Sequence, residues 1–148
     1  MATIRLGLHS THESAEKIAG IGAVLDGILP EPDYLDFFGR SLLAGPYHFP
    51  EDGSILAPAN ASNWHTFFDS AGSVGVQSGG ILAQTTRSQL GKIAERYGSR
   101  IVFGERRVGS RGTWVPVILA SPSGIKRERV IEFRDKVKTS VFRFDYST

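Results

Sequence analysis

Residues 85–120, TTRSQLGKIAERYGSRIVFGERRVGSRGTWVPVILA, decide the fold. Leu90, Ile93, Ala94 and Tyr97 recur at spacings of three and four, one face of a helix. Thr85 or Thr86 suits the N-cap, where a hydroxyl accepts from a first-turn amide, and Gly98 suits the residue past the last turn. The period then switches to two, with Ile101 and Phe103 on one side of a strand and Val102 on the other. Arg106 to Gly112 reads as a turn bearing three arginines, either a solvated hairpin tip or a binding tip. The return strand places Trp114, Pro116, Ile118 and Ala120 on one face and Val115, Val117 and Leu119 on the other. Pro116 has no amide hydrogen for a ladder, which predicts an edge strand or a bulge.

Working outward toward the N-terminus, residues 3–10 alternate in the period of a half-buried strand, with Ile4, Leu6 and Leu8 facing one way. Ser10 with Glu13 fits a capping box, and Ile18, Ile21, Leu25 and Ile28 form an apolar stripe, so a helix is expected through about Leu25. Pro30 and Pro32 interrupt it. A second helix is expected over 33–43, capped by Asp33 and ended by Gly45-Pro46. Residues 47–83 read as a long loop rich in Gly, Ser, Asn, Ala and Pro, anchored by Trp64, Phe67 and Phe68, with short strands near 54–56 and 74–77. Beyond the hairpin, Ser121-Pro122-Ser123-Gly124 is a turn, 126–134 and 139–146 read as strands, and Asp135 to Lys138 turns between them. The expected fold is therefore one α+β domain spanning residues 1–148: an N-terminal strand and helices, a long Gly/Ser-rich loop, then a helix and a roughly four-stranded antiparallel sheet.

Composition narrows the function classes. The absence of cysteine excludes a disulfide framework and thiolate chemistry. The longest apolar run, 18–29, contains Asp26 and is too short to span a bilayer, and no basic-apolar leader opens the chain. A cytoplasmic or virion-associated protein without a membrane partner is the expectation. Net charge is +2, but residues 1–84 hold three basic groups against nine acidic ones, while 85–148 hold fourteen against six. Such asymmetry suits a polyanion partner, or an acidic face docked on a basic one within a molecule or between copies.

Three groups of residues are candidates for chemistry. Arg106, Arg107 and Arg111 on the hairpin, Lys126, Arg127 and Arg129 after it, and Arg87, Lys92 and Arg96 on the helix form a basic surface if they converge. Arginine and lysine on phosphates give affinity without reading sequence, and nearby Trp114 and Tyr97 would allow base stacking. The glycine run from Gly72 to Gly80 precedes a helix, where free amides attract phosphate, but it matches neither the Walker pattern nor the dinucleotide fingerprint. His9 and His12, with His48 and His65 in the loop, lack an evident third and fourth metal ligand. The His9-Ser10-Thr11 junction resembles the start of NAD-dependent ADP-ribosyl-transferring domains, in which a strand histidine and a nearby threonine precede a helix. That resemblance implies a small nucleotide-using enzyme.

The leading expectation is non-catalytic binding of an anionic partner, most readily nucleic acid, with no cofactor or metal and no catalytic residue assigned. The alternative is a self-assembling structural protein, a virion, tail or shell component, in which acidic and basic halves meet between copies.

Overall fold

The switch from helical to alternating period after Gly98 is realised, and the first strand runs on through Arg106 and Arg107 to Val108, so the turn expected from Arg106 begins only after it. Helix α3, Gln84–Tyr97, runs into strand β4, Ile101–Val108, and the hairpin returns as β5, Thr113–Ala120. This computed structural model describes residues 5–15, 17–48, 61–72 and 84–140. Before the hairpin come β1, Leu6–Ser10; α1, Gly20–Ile28; α2, Pro32–Phe38; β2, Arg40–Pro46; and β3, Trp64–Asp69, after it α4, Arg127–Ser140. The strands form one five-stranded sheet in the order β1-β2-β5-β4-β3. β1, β2 and β5 run parallel, whereas β5-β4 and β4-β3 are antiparallel. The α+β class stands, and the sheet is mixed instead of purely antiparallel.

One face of this sheet is the main core. Leu43, Val102, Val108, Val115, Val117 and Leu119 pack there under Leu25 and Leu29, together with Trp64 of β3. α3 covers part of the opposite face, where Leu90 and Ala94 meet Ile101, Phe68, Phe103 and Ile118. Ile93 lies off that contact and is exposed.

Several expectations are corrected. Residues 40–43 are strand, not helix, because Gly39 at φ +68° ends α2 and the chain enters β2 directly. β1 alternates as expected but with inverted burial: Gly7 is buried against Tyr34 and Phe38 of α2, while Leu6 and Leu8 are exposed. The helix expected from Ser10 begins only at Gly20. Glu13 instead caps it at a distance, its Oε2 accepting from the amides of Ile18, Ala19 and Gly22. β3 arises within the region read as loop, its Asp69 side chain buried and bonded to Arg100 at the start of β4.

Residues 126–134 are not a strand but lead into α4, stabilised locally where Arg129 and Lys136 both donate to Glu132 at helical spacings. The turn expected over 135–138 lies within α4, as do residues 139 and 140. The remainder of that expected strand, the strands near 54–56 and 74–77, and the glycine run beyond Gly72 lie outside the described residues. Among the described residues no helix is long and apolar enough to cross a membrane.

Pro116 sits in a central strand, not at an edge. The Ala120 carbonyl accepts from the Tyr47 amide just past β2, whereas the Ser121 amide donates to Arg100 ahead of β4. Alternation then turns the backbone polar groups of Ala120, Ile118 and Pro116 toward β2. Pro116 has no hydrogen to give on that side, and the β2-β5 pairing begins one residue later, at Leu43 with Val117. Ahead of that point the two strands part.

Candidate nucleic-acid interface

Consecutive strand residues point to opposite faces, so the adjacent arginines of β4 have different surroundings. Arg106 is buried on the core face, where its guanidinium meets Asp26 of α1 at 3.1 Å. Arg107 projects from the opposite face and is exposed, as is Arg111 in the turn. The turn itself is seated: a Cβ at Gly109 would meet Pro30 and the Asp26 carbonyl, so the hairpin tip rests against the end of α1.

Beside Arg107 lies an aromatic pair. β3 places His65 opposite Glu105, and β5 places Trp114 opposite Arg107, all on one sheet face. His65 Nδ1 is 2.9 Å from Glu105 Oε1, which orients the imidazole. The His65 and Trp114 rings stack over β4 with centroids 4.1 Å apart and planes inclined by 18°. Trp114 remains 36% exposed. Phe67 lies next to His65 and Phe103, extending the apolar surface. The ingredients for stacking a base and holding its phosphate are therefore adjacent.

The other basic residues gather elsewhere. Arg96 and Arg129 both meet Glu132, at 3.4 and 2.7 Å, and Lys126 donates to the Glu95 carbonyl. Lys136 and Arg129 hold the Glu132 carboxyl down at about 2, below its ordinary value. This cluster sits where α3 gives way to α4, at the far end of β4 from Arg107. Six strand residues separate the two ends, roughly 20 Å. Arg127 is exposed at the start of α4, while on α3 Lys92 is exposed and Arg87 half-buried. The nine basic residues thus do not form one patch: Arg106 is internal, Arg107 and Arg111 stand at the hairpin, Arg87, Lys92 and Arg96 lie on α3, Arg127 and Arg129 on α4, and Lys126 in the turn between β5 and α4.

At the N-terminal junction, the His9 imidazole and the Tyr34 hydroxyl share a hydrogen bond, and the Thr11 hydroxyl accepts from the Glu13 amide. His12 and His48 are exposed. Among the described residues no group of three His, Cys, Asp or Glu side chains is placed to hold a metal.

His65 and Trp114 were not singled out together by sequence, because the loop reading of 47–83 hid the strand that carries His65. The available signal was the run Trp64 to Phe68, whose aromatic and β-branched content favours a strand. Comparison of the chain with family models, with curated proteins and with solved structures finds no match.

Proposed function

We propose that this chain is a non-catalytic nucleic-acid-binding domain that takes a single strand on the open part of its sheet. The reading rests on the stacked His65–Trp114 pair beside exposed Arg107. Exposed aromatic rings on a sheet suit unstacked bases, which offer a π face in any sequence, and Arg107 and Arg111 supply phosphate contacts. Paired bases in a duplex keep those faces hidden, so single strands are preferred.

Fluorescence anisotropy of a labelled ten-nucleotide strand against the matching duplex tests this. Trp114→Ala weakens single-strand binding by about 1–3 kcal/mol. Arg107→Glu weakens it and flattens its dependence on salt. Absence of binding to single strands at low salt rejects the reading, as does affinity unchanged by both variants.

A separate observation favours self-association. Ile21, Val24 and Ile28 are exposed along α1, as are Leu35 and Phe37 on α2. Exposed apolar side chains of this kind on two helices suit contact between copies. Light scattering after size-exclusion decides it, and a monomer at high concentration and low salt excludes it.

A further inference from the structure

The parting of β2 and β5 ahead of Pro116 opens a cavity of about 390 Å³ through the sheet. Leu42, Pro116 and Trp114 line it from one face, and Leu29, Leu35 and Val115 from the other. Arg40, Ser41 and Thr113 interrupt the otherwise apolar lining. Arg40 is exposed at β2's first position and has no acidic partner among the described residues. The Ser41 hydroxyl, on the opposite face of β2, is buried and has no hydrogen-bond partner among the described residues. Ligand sites combine an apolar body with a small number of polar or charged groups, and Arg40 supplies the charge here.

The geometry points to a binding site for a small planar aromatic anion, its ring between the parted strands and its negative group on Arg40. A cavity of about 150 Å³ already holds benzene, so this one has room for two fused rings. A free aromatic acid and a mononucleotide share this chemistry. The site shares Trp114 with the strand-binding surface but does not use Arg107.

Isothermal titration of the full chain with 1-naphthoate, with uncharged 2-naphthalenemethanol and with adenosine monophosphate tests the assignment. Saturable one-to-one binding of 1-naphthoate is expected. Arg40→Gln weakens it about tenfold and leaves the uncharged alcohol unaffected. Leu35→Trp, on an exposed helix position, fills the cavity and removes binding of both naphthalenes while circular dichroism stays unchanged. Adenosine monophosphate competing with 1-naphthoate identifies a nucleotide as the source, and naphthoate binding without such competition identifies a free aromatic acid. No naphthalene binding to the folded wild type overturns the site, as does binding unchanged in both Arg40→Gln and Leu35→Trp. Loss of oligonucleotide affinity in Arg107→Glu with naphthoate binding intact separates this site from the strand-binding reading.

Discussion

Arg106 and Asp26 are eighty positions apart in the chain and meet at 3.1 Å where the hairpin crosses α1. The pair joins the basic half of the sequence to the acidic half, so part of the charge asymmetry is settled inside one molecule. Asp26 keeps 23% of its side chain open, whereas the Arg106 side chain is almost wholly enclosed. Removing the carboxylate leaves the guanidinium charged in a site built around an opposite charge. Asp26→Ala is therefore expected to cost about 3 kcal/mol in urea unfolding. Adding Arg106→Met to that variant recovers most of the loss, and failure of the recovery would show that the pair is not what Asp26 contributes.

Acid sensitivity should centre on Glu13. The Ala19 amide, then those of Ile18 and Gly22, hold its carboxyl below the ordinary 4.5, against the opposing effect of burial. A depressed folded-state value means that the stabilisation is complete above the unfolded value and is lost as pH falls through the folded one. Melting temperature should decline below about pH 4.5 in the wild type. In Glu13→Gln it should start several degrees lower and decline less over the same window, with scanning calorimetry as the check.

The helix that replaces the expected strand after Lys126 makes its own pH prediction. Glu132 is held at about 2, first by Lys136 and then by Arg129. Its contribution to α4 is therefore present above the ordinary 4.5 and lost as pH falls toward 2. Cα chemical shifts of residues 127–136 should stay helical at pH 4 and drift toward coil near pH 2. Glu132→Gln should bring the same drift at neutral pH without altering the shifts of β4 and β5.

Pro116→Val restores a donor aimed at β2. The ladder should lengthen toward Leu42, with the new amide at position 116 exchanging slowly and a gain of about 1 kcal/mol. Closing the gap should also reduce 1-naphthoate binding. An amide at 116 that exchanges as fast as a loop residue would show that the proline is not what holds the strands apart.

What could be read in advance follows from where local and global preferences agree. α3, β4 and β5 were legible because period, glycine punctuation and burial all point the same way there. β2 was not, since Arg40 to Pro46 carries two adjacent leucines without alternation, as a strand flanked on both sides in a sheet often does. α4 misled for the reverse reason. Val130, Glu132 and Arg134 alternate with Ile131 and Phe133, but these apolar side chains are exposed and the spacing of Arg129, Glu132 and Lys136 decides the outcome. The aromatic pair was hidden because His65 and Glu105 are forty positions apart. The division of Arg106 from Arg107 needed only the recognition that the strand continues past them.

The contact of the hairpin tip with Pro30 bears on how any partner is met. A turn anchored in this way presents Arg107 and Arg111 from a fixed frame, and little chain freedom is lost when they are engaged. Capture by this edge of the molecule is then a rigid-body event, its speed governed by long-range attraction and orientation instead of by loop ordering.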